Sequence, residues 1–276
     1  MEVLGVEFIL SIAISYFPFI SESNFVDLFK LTVLQVLNCL KIFESNPKPK
    51  KIRNFLIFLH WCRHYPPLKT LAVFYNLSKS QIGNILREEA DLLSSRVCDF
   101  VNMKDIDILD HFFLPNCVGV VDSTEIEINC WIGDSFSGKK GVHTLKYQVV
   151  CCLITGKPIH IYGPCLGKVN DASIWKDSGL GEYLEENDLW VLGDKGYQGC
   201  LRVKNCLKKS RGELTLEHDK KEYNRNISKK RIIIENHFAD VKKWKVISHV
   251  FRGDLNYHVK IFVTCEILTI LAKNEK

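Results

Sequence analysis

Residues 118–124 read VGVVDST, a short apolar run that ends in an aspartate and two hydroxyl residues. Its length and valine content are those of a buried strand, and a strand that ends on Asp122 would deliver a carboxylate in a fixed direction. The same arrangement returns at 188–194, DLWVLGD, where residues 189–192 lead to Asp194 between Gly193 and Gly196. Between them lie KYQVVCCLI at 146–154 and PIHIYGPCL at 158–166, rich in valine, isoleucine and aromatic residues and bounded by turn formers. The middle of the chain is therefore expected to form a sheet.

On either side the apolar period changes from two to about 3.6. FVDLFKLTVLQVLNCLKIF (25–43) places apolar residues three and four apart, NPKPKK (46–51) interrupts, and IRNFLIFLHWCRHY (52–65) resumes the pattern. A helix is predicted again over 227–246, and HVKIFVTCEILTILA (258–272) is a further apolar segment. The chain divides near 102–110, into a helical region, 1–105, and an α/β region, 106–276. Within the first, residues 68–94 read as helix, tight turn, helix. Ala72 is small where the helices would touch, Asn76 tolerates the left-handed turn conformation, and Leu77, Ile82 and Ile85 are apolar where the second helix packs. Ser78 and Gln81 make a capping box. Lys79, Ser80, Gly83, Asn84 and Arg87 are left for the surface, and short polar and basic residues at this position suit a helix that reads a DNA major groove. A plain helical hairpin without DNA contacts has the same apolar pattern.

Four acidic residues stand in marked settings: Asp122, Asp171 in GKVNDASIW (167–175), Asp194, and Glu235 in RIIIENHFADVK (231–242). Hard divalent ions are held by a few carboxylates that leave room for water and substrate phosphates. Either strand-end aspartate alone reads first as a turn or capping residue; two in one domain weaken that reading. Asp171, after Asn170, suits a helix cap, a metal contact, or both. Arg231, Glu235, Phe238 and Lys242 share one helical face. They are either a solvated ion-pair ladder or a metal-binding carboxylate between two cations that hold DNA phosphates. Ile232, Ile233 and Ile234 predict that this helix is buried against the sheet. Lys139, Lys140, His143 and Lys146 suit phosphate contacts as well as plain solubility.

The 276 residues, with 46% hydrophobic and 25% charged content, exclude a disordered chain. A formal charge of +5 is only mildly basic, so nucleic-acid contact has to rest on local patches. Three are present: Lys48, Lys50, Lys51 and Arg53; Lys204, Lys208, Lys209 and Arg211; and Lys220, Lys221, Arg225, Lys229, Lys230 and Arg231. The 11 cysteines show no zinc-ligand spacing and read as small buried hydrophobes in a reducing compartment. VLGVEFILSIAISYFPFI (3–20) lacks a basic leader, contains Glu7 and reaches Pro18 too soon to span a bilayer. It reads as a core helix, so the chain is expected to be intracellular, not secreted, with no membrane partner.

In their order, GVVDST, then SGKKGVHTLKYQVVCCLITGKPIHIYGPCLGKVNDASIW, WVLGDKGY and RIIIENHFADVKKW, these motifs resemble the DDE transposases of the Harbinger and IS5-like superfamily, with Harbinger-derived nucleases close by. The resemblance covers about residues 68–247, because relatives carry a helix-turn-helix like HYPPLKTLAVFYNLSKSQIGNIL ahead of the catalytic domain. It implies a ribonuclease-H-like mixed sheet flanked by helices, preceded by a small all-α helix-turn-helix module. Asp122, Asp194 and Glu235 would form the catalytic triad, and Asp171 a fourth acidic position at the metal site. Arg231, Glu235 and Lys242 fit the arginine, glutamate and lysine spacing of the IS5-like signature, whereas its tyrosine is replaced by Ser228.

The activity implied is metal-dependent phosphodiester hydrolysis and strand transfer with Mg²⁺ or Mn²⁺ in a two-metal site. Lys79, Ser80, Asn84 and Arg87 would recognise terminal inverted repeats, and Lys139, Lys140, His143, Arg231 and Lys242 would hold element-end and target DNA. An accessory DNA-binding protein and homo-oligomerisation belong to the same expectation, as does a nuclear location in a eukaryotic host and a cytoplasmic one otherwise. The alternatives are a domesticated DNA-binding derivative that no longer cuts and a host nuclease that cuts without transposing. Retention of all four acidic positions speaks against the first.

Overall fold

The computed structural model describes residues 2–103, 106, 114–207 and 218–273, with backbone alone for 2–4. Two compact units result: Met1–Val97 with Val241–His249 and Gly253–Lys276, and Cys98–Asp240 with Val250–Arg252.

The helices are α1 (Glu2–Tyr16), α2 (Glu22–Phe29), α3 (Val33–Phe43), α4 (Pro49–His64), α5 (Leu68–Phe74), α6 (Lys79–Ser94), α7 (Val97–Phe100), α8 (Asp171–Asp177), α9 (Leu180–Glu186), α10 (His218–Val241), α11 (Lys245–Ser248) and α12 (His258–Lys273). In the helical unit, the single pattern predicted over 25–43 is two helices. Lys30 turns the chain with φ 65°. Thr32 then starts α3 with a capping box, its hydroxyl accepting from the Gln35 amide at 3.1 Å while the Gln35 side chain accepts from the Thr32 amide at 2.9 Å. Pro49 opens α4 at a position where its missing amide costs nothing. Phe55, Ile57, Phe58, Leu59 and Cys62 of α4 are buried, which makes it the central helix of this unit. Between α5 and α6 the chain turns through Asn76 at φ 49°, and Ser78 caps α6 by accepting from the Gln81 amide at 3.1 Å. Ile9 and Ala13 of α1 are core residues.

The end of the chain completes the same core. Ile261, Phe262, Cys265, Ile267 and Leu268 of α12 are buried, Gln35 donates to the carbonyl of Ala272 at 3.1 Å, and Trp244 donates to Thr269 Oγ1 at 3.0 Å. Residues 241–249 and 253–276 lie with the helical segments. Residues 104, 105 and 107–113, where the sequence divides, fall outside the described residues.

The second unit is a mixed sheet flanked by helices. Its strands are β1 (Cys117–Glu127), β2 (Phe136–Ser137), β3 (Val142–Cys152), β4 (Pro158–Leu166), β5 (Trp190–Leu192) and β6 (Val203–Lys204). β1, β3 and β4 are successive antiparallel neighbours, with β2 also on β3; β5 joins the other side of β1 in parallel and β6 follows it. Val121, Val150, Val191 and Val203 pack with Trp175 of α8 and Leu180 and Leu184 of α9 in one apolar cluster. Gly119 lies where β1 changes register against β5, and a Cβ there would meet Val150 Cγ1 at 2.6 Å and the Cys151 carbonyl oxygen at 3.0 Å. Gly119→Ala is expected to destabilise this unit by about 1–3 kcal/mol through overpacking. A lower denaturation midpoint with an unchanged slope would show it, and an unshifted midpoint would contradict the close approach.

Candidate active site

Asp122 lies inside β1, not at its end. The predicted strand stops at the first carboxylate, whereas β1 continues to Glu127 because β3 pairs with it from Gly119↔Cys152 to Glu127↔Thr144. The partner that stops is β5, whose last pairing is Val120↔Leu192. Asp194 follows two residues beyond Leu192, near enough for its charge to act on Asp122. Asp194 follows β5 as expected and caps a short 3₁₀ turn, its Oδ1 accepting from the Gly196 amide at 2.8 Å.

Asp171 joins them from α8. The cap of that helix is Asn170, which accepts from the Ser173 amide at 2.8 Å, so Asp171 in the first turn is released from capping. Its Oδ1 is buried without a hydrogen-bond partner among the described residues. A Cβ added to Gly196 would meet Asp171 Oδ2 at 2.9 Å and Asp194 Oδ1 at 3.0 Å, which places both carboxylates against the same glycine. Beneath them Tyr197, fully buried, shares a 2.8 Å hydrogen bond with Ser123. Burial and the charges of Asp171, Asp122 and Asp194 push the Tyr197 phenol far up, against the Ser123 contact.

These charges interact. Burial raises the Asp122 carboxyl to about 6; the Ser123 amide, 2.8 Å from Asp122 Oδ1, opposes this, Asp194 adds to it, Arg231 opposes and Asp171 adds. Arg231 on α10 is thus the helix cation that acts on Asp122, and its Nε is buried without a hydrogen-bond partner among the described residues. Glu235 stands one turn further along α10 with its side chain exposed. The expected apolar anchor is narrower than predicted: Ile234 is buried but Ile232 is 49% exposed. Lys242 falls in the turn after α10, which ends at Val241, so the four-residue stripe is shorter by its last member.

Among the described residues no three carboxylate, histidine or cysteine side chains come within reach of one ion. The aspartates are neighbours whose charges interact, and the full set with Glu235 is not assembled. Their chemistry nonetheless fits a hard cation: oxygen donors only, one oxygen left orphaned among the described residues, and a carboxyl raised by burial and by neighbouring carboxylates.

Other expected residues are scattered. Lys79, Ser80, Asn84 and Arg87 are exposed on α6, with Arg87 donating to Asn84. Lys139 and Lys140 are exposed, Lys140 donating to the Glu125 carbonyl at 3.0 Å. His143 is bound to Ser135 Oγ at 2.8 Å. Lys146 is buried, not a surface phosphate contact. Of the basic patches, Lys51 is taken by Glu89 at 2.6 Å, and Lys208, Lys209 and Arg211 lie outside the described residues. Glu125 escaped notice altogether. The signal for it was the alternation of Thr124, Glu125, Ile126, Glu127 and Ile128, which extends the strand beyond Asp122.

Residues 121–269 match the model of the DDE superfamily endonucleases. A protein of Microchaete diplosiphon described as a transposase for insertion sequence element IS702 is 31% identical over 206 residues, 72% of each chain. One of Streptomyces albus G, described as a transposase for insertion sequence element IS112, is 24% identical over 77% of each. No solved structure gives a significant match.

The raised Asp122 carboxyl has a pH signature. An unfolded aspartate titrates near about 4, so between about 4 and 6 the folded state holds the extra proton and stability falls as pH rises, by about 2–3 kcal/mol in all. The penalty is absent below 4 and complete above 6. Asp122→Asn keeps an acceptor for the Ser123 amide and removes the charge; its melting temperature is expected to exceed that of the wild type at pH 8, with the gap closing at pH 4. Calorimetry at the two pH values checks this, and an equal gap at both would refute it.

Proposed function

Since the chain belongs to the DDE superfamily of endonucleases, we propose that it is a transposase of the Harbinger and IS5-like kind, whose second unit is a ribonuclease-H-like catalytic domain acting on DNA. The observation that supports this reading is that the charges of Asp194 and Asp171 both act on Asp122, with Asp171 and Asp194 against the same glycine. In this reading Asp122, Asp194 and Glu235 would make up the catalytic triad, and with Asp171 they would hold Mg²⁺ or Mn²⁺. Such an ion supplies Lewis acidity to a phosphoryl oxygen and makes bound water acidic enough to attack at neutral pH.

The protein's own groups do the rest. The β1–β3 pairing holds Asp122 in place, and the Gly196 amide fixes the Asp194 carboxylate. Arg231, already facing the Asp122 charge, offsets the negative charge that a phosphodiester brings. Lys221, Arg225 and Lys229 of α10 are exposed, recur every four residues and so share a face that can follow backbone phosphates without reading bases. Lys139, Lys140, His143 and Lys242 are further phosphate contacts in this reading. Sequence recognition falls to α6, where Lys79, Ser80, Asn84 and Arg87 stand exposed at and after a capped helix start. The α5–α6 pair then acts as the helix-turn-helix that binds terminal inverted repeats. Assembly as a homo-oligomer, an accessory DNA-binding protein and a nuclear location in a eukaryotic host, cytoplasmic otherwise, complete the proposal.

The test is cleavage and joining of a labelled duplex carrying the inverted repeats that flank the gene, with Mg²⁺ or Mn²⁺. Nicked and joined products are expected, reduced at least about a hundredfold, or about 2.7 kcal/mol in barrier, by Asp122→Ala, Asp194→Ala or Glu235→Ala. DNA binding should weaken steeply with salt. Cut but never joined products would make it a nuclease without transposition. Binding without any metal-dependent product would make it a DNA-binding derivative.

A further inference from the structure

On the face of the sheet opposite to Asp122, β1 and β3 place Glu125 directly across from Lys146. Both side chains are nearly closed off from solvent, at 8% and 10% exposure, and stand 3.7 Å apart. Lys146 Nζ donates to the Val169 carbonyl at 2.7 Å. Glu125 accepts from Thr144 Oγ1 at 2.9 Å. Burial raises the Glu125 carboxyl, but hydrogen bonds from Ser137 and Thr144 and the charges of Lys146 and Lys140 prevail and hold it below its ordinary range. Taking two ions out of water costs several kcal/mol each, and an apolar pair of similar volume often does as well for stability. A buried pair at this place therefore calls for a role other than holding strands together.

The third neighbour of the pair supplies one. Lys146 Nζ lies 3.6 Å from Asp171 Oδ1, the oxygen that is buried and has no hydrogen bond among the described residues. That separation is too long for a hydrogen bond and short enough for strong attraction. The ammonium thus restrains the Asp171 carboxylate without using up its lone pairs. The Val169 carbonyl, two residues before Asp171, is bound by the same ammonium, so the start of α8 is held at both backbone and side chain.

We infer that Lys146, anchored by Glu125, is a positioning residue that holds Asp171 in place to receive a divalent cation. This rests on the reading of Asp171 as a metal-site residue. Groups that orient metal-binding side chains typically change metal affinity by about 10- to 100-fold when removed.

Mn²⁺ titration of the full chain, without DNA and read by electron paramagnetic resonance, separates the outcomes. Lys146→Met alone would strand Glu125 as a buried charge, so the pair is removed together as Glu125→Gln with Lys146→Met, and thermal melting verifies the fold. Mn²⁺ affinity is expected to fall about tenfold in this variant and about tenfold in Asp171→Asn, with no further loss when all three substitutions are combined. DNA affinity in EDTA should stay within about twofold of wild type, because Lys146 is not a phosphate contact. Additive losses, or unchanged Mn²⁺ affinity with weaker DNA binding, would overturn the inference while leaving the nuclease reading intact. A wild-type chain that binds no Mn²⁺, or binds it independently of Asp122, would overturn the metal site and this inference together.

Discussion

The unequal pairing of β1 with its two neighbours governs this molecule. β3 accompanies β1 from Gly119 to Glu127, whereas β5 leaves after Val120. Asp122 is therefore held rigidly on one edge and open on the other, where the chain beyond β5 carries Asp194, whose charge acts on it. Like charges brought together repel, and only a scaffold that cannot relax keeps them there. The sheet provides that stiffness through backbone hydrogen bonds, which do not depend on the charge state of the side chains they carry.

Compensation for this charge comes from both faces of the sheet. Arg231 acts on Asp122 from α10, and Lys146 reaches Asp171 from within β3. The two cations differ in setting, as they must: the helix residue is a member of a basic run, while the strand residue is buried among fixed partners. A cluster neutralised from within would bind no ion, and one left bare would be hard to fold. Three interacting aspartates with two cations stand between these limits.

Much of this was legible in the sequence because it depends on local rules. Alternation and turn formers placed β4 at Pro158–Leu166, and the box of Ser78 and Gln81 marked the start of α6. The order of the motifs led to the endonuclease family matched over residues 121–269. What escaped was set by competition or by distance. Asp122 reads as a strand end because the apolar run of residues 118–121 stops there, yet the alternation after it keeps the strand going. Thr32 and Gln35 form the same kind of box as Ser78 and Gln81, overlooked because the apolar period runs across it. Asp171 looked like a cap, but the residue before it won that place. No local pattern tells that residues 241–249 and 253–276 return to the helical unit, since their partners, such as Gln35 for Ala272, lie far away in the sequence.

That return sets an order on biosynthesis. Gln35 and Ala272 are separated by 237 positions, so a ribosome must finish the entire α/β unit before the last helix of the first-made unit emerges. Helices α1 to α6 wait meanwhile with an unfilled slot where α12 belongs, an apolar surface open to chaperones and to aggregation. The later-made unit, contiguous apart from its three-residue return, can fold first. Completion of the helical unit therefore waits on its most distant segment, and a nascent chain stalled before residue 258 lacks the α12 that fills this core.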